Sequence, residues 1–171
     1  MPHLADDAAW YLWHAHRWTG AIYDLWTELG VLPHQQIIWV KPSAMFATAY
    51  FNWQHESCLF GWKQGHRPDW ADVDLGAHTT SVWNVSYDGG LGKQQKEHPT
   101  QKPTELFALP MRIHTRPKAV CIEPFSGSGT QLIAAEQHGR VCRAIELEPH
   151  FCDVAVRRYE EFSGEKVELV R

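Results

Sequence analysis

The run Ala119-Val-Cys-Ile-Glu-Pro-Phe-Ser-Gly-Ser-Gly-Thr-Gln-Leu-Ile-Ala-Ala-Glu136 decides how the chain is read. A short apolar stretch ends at the acid Glu123, a turn of small residues follows, and a helix-forming stretch closes the unit. Strand, turn and helix in that order suit a ligand. Gly127 and Gly129 reach backbone angles closed to other residues and let a ligand approach the main chain, while Ser128 and Thr130 place hydroxyls near the helix start. Nineteen residues after Gly127, the next apolar stretch ends at Glu146 in Ala-Ile-Glu-Leu-Glu-Pro, where a carboxylate can accept two hydrogen bonds from a ribose diol. Together the two features predict a nucleoside-containing cofactor.

A dinucleotide fingerprint G-x-G-x-x-G would also join a strand to a helix, but from Gly127 the chain reads Gly-Ser-Gly-Thr-Gln-Leu, with Leu132 in place of the third small residue. Glu123, just before the turn, would repel a pyrophosphate and would instead pair with the amino group of an amino acid. S-adenosylmethionine has that group and no phosphate, and is the expected cofactor. A glycine-rich turn without a ligand is the plainer alternative for this segment taken alone.

Upstream lies His98-Pro-Thr-Gln-Lys-Pro103, which by itself reads as a rigid polar turn. Followed by Glu-Pro-Phe-Ser-Gly-Ser-Gly-Thr, it gains specificity. At these residues the sequence resembles the amino-group DNA methyltransferases, which methylate adenine N6 or cytosine N4. The motif order is similar to that of their circularly permuted beta class, in which the catalytic half precedes His-Pro-Thr-Gln-Lys-Pro and Asp-Pro-Phe-x-Gly-Ser-Gly-Thr. The resemblance covers His98–Phe162 closely, including Ala144-Ile-Glu-Leu-Glu-Pro and the helix that carries Arg157-Arg-Tyr. It covers Ala9–Gly65 more loosely, through Trp10-Tyr-Leu-Trp-His14, Ile37-Ile-Trp-Val-Lys-Pro42 and His55-Glu-Ser-Cys-Leu-Phe-Gly61. Glu123 stands where the family has Asp, which keeps the charge.

The resemblance implies an α/β fold: a Rossmann-like S-adenosylmethionine-dependent methyltransferase sheet with helices on both faces. It implies that Phe125, Ser126, Gly127, Ser128, Gly129 and Thr130 line the methionine and adenosine side of the cofactor, with Glu123 at the amino group. Glu146 would hold the ribose hydroxyls, and Thr100, Gln101 and Lys102 would close over the methionine end. The implied substrate is an exocyclic base amine of double-stranded DNA, adenine N6 favoured, in a restriction-modification setting. The family aims that amine with an Asp/Asn/Ser-Pro-Pro-aromatic tetrapeptide, and no two of the ten prolines here are adjacent. The catalytic residues are therefore unassigned. The chain is expected to be the family minus its first catalytic strand, either a truncated product or one piece of a split enzyme. An inactive remnant or a cofactor-binding subunit is the alternative, and self-association or a complementing N-terminal segment is the expected partnership.

The composition sets the frame. With 171 residues, 44% hydrophobic and 21% charged, the chain suits one domain, read as a partial catalytic lobe (1–63), a short target-recognition insert (64–97) and a cofactor-binding lobe (98–171). A formal charge of −4 leaves no polybasic region to grip nucleic acid non-specifically, and the insert offers only Arg67, Lys93 and Lys96. Cys58, Cys121, Cys142 and Cys152 form no C-x-x-C pair and read as reduced, mostly buried thiols. No signal peptide or membrane span is evident, so a soluble cytoplasmic protein is expected. His14, His16, His55 and Glu56 lack the spacing of a ligand set, and no metal is expected.

Strands are expected at Ala9–Trp13, Gln36–Val40, Ser57–Trp62, Ala119–Ile122, Val141–Ile145 and Val167–Val170. Helices are expected at Trp18–Leu29, with Ile22, Leu25, Trp26 and Leu29 on one face, at Thr130–His138, and at His150–Phe162 with Gly164 as its stop. Gly61–Lys96 reads as a loop-rich insert, in which Trp70 and Trp83 are candidates for base contact, whereas Trp13, Trp39 and Trp62 read as core. The sheet should be mostly parallel, with Ala119–Ile122 beside Val141–Ile145 and the pocket at their C-terminal ends.

Overall fold

A computed structural model describes residues 3–45, 50–87 and 101–170. The chain divides into two compact units, Met1–Ser86 and Tyr87–Arg171.

The first unit is a four-stranded sheet built from β1 (Ala9–His14), β2 (Val31–Met45), β3 (Trp53–Lys63) and β4 (Val82–Asn84) in the order β1-β3-β2-β4. β3 runs antiparallel to both β1 and β2, and only β4 is parallel to its neighbour β2. The expectation of a mostly parallel sheet fails here for a simple reason. A short connection joins β2 to β3, whereas parallel neighbours need a crossover of roughly a dozen residues or more. Pro33, which has no N–H to offer a ladder, sits at the register shift between Pro33 and Gln35.

Helix α1 (Thr19–Glu28) follows a 3-10 turn at His16–Trp18. Its Trp26 packs with Val31, Leu59, Trp10, Leu12 and Ile22, and meets Trp10 edge-on with ring centroids 6.0 Å apart. Leu25 and Leu29, expected on the same face, are exposed, because only the Ile22/Trp26 ridge reaches the sheet. Gly61 of β3 permits this approach. A Cβ there would lie 2.2 Å from the Leu32 carbonyl oxygen and 2.8 Å from the Trp26 ring.

Other aromatic side chains pack as pairs, Trp13 with Trp39 and Trp83, and Tyr11 with Phe60. The indole N–H groups of Trp39 and Trp83 donate to the carbonyls of Val85 and Thr80, each at 2.8 Å, which satisfies these buried donors. Lys41 is buried in an ion pair with Glu56 at 2.8 Å.

The stretch expected to be loop-rich carries a short helix, α2 (Val73–His78), and β4. The Asp72 carboxylate starts α2 by accepting from the Leu75 N–H at 2.9 Å. Trp83 lies on β4 and is buried, which removes it as a candidate for base contact. Trp70 is partly exposed, with the Arg67 guanidinium 6.0 Å from its ring centre.

The second unit contains α3 (Glu105–His114), β5 (Val120–Glu123), α4 (Thr130–Gln137), β6 (Val141–Ala144) and α5 (Pro149–Ser163). β5 and β6 are parallel neighbours in the expected pairing, from Val120 opposite Val141 to Glu123 opposite Ala144. Ala108 and Met111 of α3 and Ala134 and Ala135 of α4 form a core on which Phe107, Cys121 and Cys142 pack. Helix α3 had no counterpart among the expected elements, since Pro110 in its interior breaks the sequence signal.

Gly164 ends α5 with φ 74°, as its composition predicts. The expected strand Val167–Val170 is not one. It has no pairing partner among the described residues, and the Val167 N–H donates instead to the Glu160 carboxylate at 3.0 Å. All four cysteines are free thiols; against the mostly buried set expected, Cys58 is buried, Cys121 and Cys142 are half-buried and Cys152 is exposed.

Candidate functional site

The turn between β5 and α4 is shaped by two carboxylates at the C-terminal ends of the parallel strands. Glu123 closes β5, and its side chain accepts the Phe125 N–H at 2.8 Å. Glu146, just beyond β6, accepts the Gly127 N–H at 2.6 Å on one oxygen and the Glu148 N–H at 3.0 Å on the other. The main chain continues the ladder past the strands: the Ile145 N–H donates to the Glu123 carbonyl at 2.8 Å, and the Ser126 N–H to the Ile145 carbonyl at 3.0 Å. Both acids are thereby held against one turn, where they repel one another. Burial pushes the Glu123 carboxyl up from its ordinary range. The Phe125 N–H and the charge of Lys102 pull it back, and Glu146 adds to the rise.

Gly127 and Gly129 both have positive φ, 53° and 75°, as their placement in the sequence predicts. Gly129 is required for a second reason. A Cβ there would lie 2.8 Å from the Ala155 Cβ on α5. Behind the turn, Arg158 of α5 donates through one guanidinium nitrogen to the Ser128 carbonyl oxygen and to the Ser128 Oγ, the latter at 2.9 Å. The same nitrogen lies 3.4 Å from the Thr130 Oγ1. Ser128 and Thr130 are both buried.

The structure brings together Glu123, Phe125, Ser126, Gly127, Ser128, Gly129, Thr130 and Glu146. Phe125 is exposed at the rim, and Leu147, beside Glu146, is exposed as well. Gln101 and Lys102 are half-buried, and Lys102 is close enough to act on the Glu123 charge. Thr100 lies outside the described residues. Glu56 is engaged by Lys41, and among the described residues no group of three or more His, Cys, Asp or Glu side chains is placed to hold a metal. Sequence reasoning missed Arg158. It lies 30 residues from Ser128, and the Arg-Arg pair on α5 carries no signal of which side chain turns inward.

A family model described as DNA methylase, that of the N6/N4 methyltransferases, matches residues 12–157. The chain belongs to this DNA methylase family. It is 31% identical over 135 residues to the Type II methyltransferase M2.MboI of Moraxella bovis, across 74% of this chain and 50% of that protein. The chain spans about half the length of the curated relatives it matches.

Among solved structures, it is similar to the crystal structure of the M1.HpyAVI–SAM complex, with TM-score 0.76 and 24% identity over 92% of this chain and 76% of that one. It is also similar to the cytosine-N4-specific PvuII DNA methyltransferase, with TM-score 0.76 and 17% identity over 91% of this chain and 65% of that one. Shared architecture at this level of identity establishes the α/β methyltransferase fold for this chain.

Proposed function

We propose that the chain binds S-adenosylmethionine through the Glu123–Thr130 turn and Glu146. We further propose that it forms part of a DNA modification methyltransferase acting on an exocyclic amine of double-stranded DNA, adenine N6 rather than cytosine N4. The single observation that carries the reading is the clamp of Glu146 on the Gly127 N–H at 2.6 Å, which sets a carboxylate at the mouth of a glycine turn.

The donor set suits the cofactor. Each Glu146 oxygen accepts one backbone N–H, which fixes the carboxylate at the turn, and a carboxylate is the group that accepts from a ribose diol. Ser126 Oγ is buried and has no hydrogen-bond partner among the described residues, so the turn holds a polar group for a ligand or water to satisfy. Exposed Phe125 and Leu147 provide apolar surface beside the carboxylates. Lys102 and Glu123 offer opposite charges to the carboxylate and amino groups of a methionine moiety, with Gln101 beside Lys102 in the chain. When bound, the cofactor supplies an activated methyl group. The residues of this chain hold its ribose and amino acid so that the methyl carbon is presented to an incoming amine.

A second reading rests on a different observation, the absence of any adjacent proline pair from these 171 residues. On that reading the chain is a cofactor-binding piece, and methyl transfer needs a complementing segment that orients the amine. Cytoplasmic residence accords with either reading.

Calorimetry tests the common part. The chain is expected to bind S-adenosylmethionine, and Glu146→Ala to weaken binding by roughly 1–3 kcal/mol, the cost of leaving hydroxyls without their acceptor. Equal affinity in the variant, or a preference for NAD, would refute the assignment. Where transfer is restored by a complementing segment, nucleoside analysis of the DNA separates N6-methyladenine from N4-methylcytosine.

A further inference from the structure

We propose that Arg158 is a positioning residue that sets the geometry of the cofactor turn from behind, an inference that rests on the S-adenosylmethionine reading above. Arg158 and Ala155 lie three residues apart on one face of α5. Ala155 presses on Gly129, while the guanidinium takes the Ser128 carbonyl and hydroxyl and reaches toward the Thr130 hydroxyl.

Helix electrostatics do not account for a cation in this place. Helix α4 starts at Thr130 and its N-cap Gly129 has no side chain, so an acid would be the stabilising charge there. The turn accounts for it. Ser128 and Thr130 are buried, and their polar atoms require partners. Glu146 takes the Gly127 N–H and Arg158 holds the Ser128 carbonyl. The Ser126–Gly127 and Ser128–Gly129 peptide planes are thereby fixed on either side of the Gly127–Ser128 peptide between them. A rotation of the Ser128 carbonyl away from α5 would disturb the adjoining peptide planes and slacken the contact between Gly127 and Glu146. All three contacts fall to one guanidinium nitrogen, carried on a planar, permanently charged group, whereas a lysine ammonium sits on a more flexible stem.

The test compares Arg158→Ala, Arg158→Lys and a control, Val154→Ala, which removes a buried side chain from the same helix and none of the hydrogen bonds to the turn. All are studied below their melting temperatures. Two quantities are read: affinity for S-adenosylhomocysteine by calorimetry, and amide exchange of Gly127 by NMR in protein without cofactor.

Arg158→Ala is expected to weaken binding by about tenfold or more and to speed Gly127 exchange, with Arg158→Lys intermediate. Val154→Ala is expected to lower the melting temperature while leaving both quantities unchanged. The proposal is overturned if Arg158→Ala leaves Gly127 exchange no faster than in the control, or if its affinity stays within about twofold of the unmodified chain. Should the unmodified chain bind no S-adenosyl compound, the functional reading falls, and Gly127 exchange alone then decides whether Arg158 braces the turn.

Discussion

Glu123 serves two opposed demands. Burial raises its pKa, so the folded chain holds this proton more tightly than the unfolded chain does. The stabilisation that follows is fully present below the ordinary glutamate range and is lost as the pH rises through the raised value. Once ionised, the side chain therefore costs stability. On the proposed reading, that ionised form is the one that meets the cofactor's amino group. Glu123→Gln is expected to raise the melting temperature of cofactor-free protein at neutral pH and to flatten its dependence on mildly acidic pH, while weakening S-adenosylmethionine binding. Melts at several pH values and calorimetry check both halves, and a variant that binds as well as the unmodified chain would remove Glu123 from the cofactor's amino group. The turn residues were legible because their chemistry is local: glycine for positive φ, and a carboxylate at the end of each strand. Arg158 was not, because what gives it meaning is a carbonyl 30 residues away. Trp83 misled for the opposite reason, since a tryptophan between turn signals looks exposed until a short strand buries it.

At the scale of elements, long apolar segments were read well and short or interrupted ones poorly. β4 has three residues, too few to show a period, and Pro110 hides α3. Val167–Val170 has the composition of a strand but no neighbour to pair with among the described residues, and hydrophobic pattern alone does not supply one. β3 depends on a missing side chain: Gly61→Ala would drive a methyl into the Leu32 carbonyl and the Trp26 ring. It is expected to cost roughly 1–3 kcal/mol or more, as overpacking does. All nine tryptophans lie between Trp10 and Trp83, so intrinsic fluorescence during denaturant unfolding reports the first unit selectively. An unchanged midpoint would mean that α1 is not seated on β3. In the second unit, β5 pairs with β6 alone among the described residues, and Val120 and Ile122 are exposed. Parallel sheets are ordinarily covered on both faces. Self-association is therefore expected in sedimentation experiments and should diminish in Ile122→Lys; a monomer at all concentrations would contradict it.

At the scale of the whole molecule, the family and its motif order were legible because the two motifs are specific together, and the antiparallel pairings were not, because motif order says nothing of strand direction. The formal charge of −4 gives little general attraction for DNA, and these residues include no Pro-Pro tetrapeptide to aim an amine. Positioning is worth roughly 7–11 kcal/mol in well-aligned reactions, so the 171-residue chain by itself is expected to transfer tritiated methyl groups to unmethylated DNA only at a trace rate. Sustained turnover on the order of one per minute or faster would locate the missing acceptors within it. Both units are contiguous in sequence, β1 to β4 pairing among themselves and β5 with β6. This bears on the order of birth at the ribosome. Translation at roughly 5–20 residues per second leaves some seconds between the completion of Ser86 and the synthesis of Glu146, while hairpins close in about 1–10 μs. The tryptophan-rich sheet thus has time to assemble on the nascent chain before the carboxylate that clamps the glycine turn has been made.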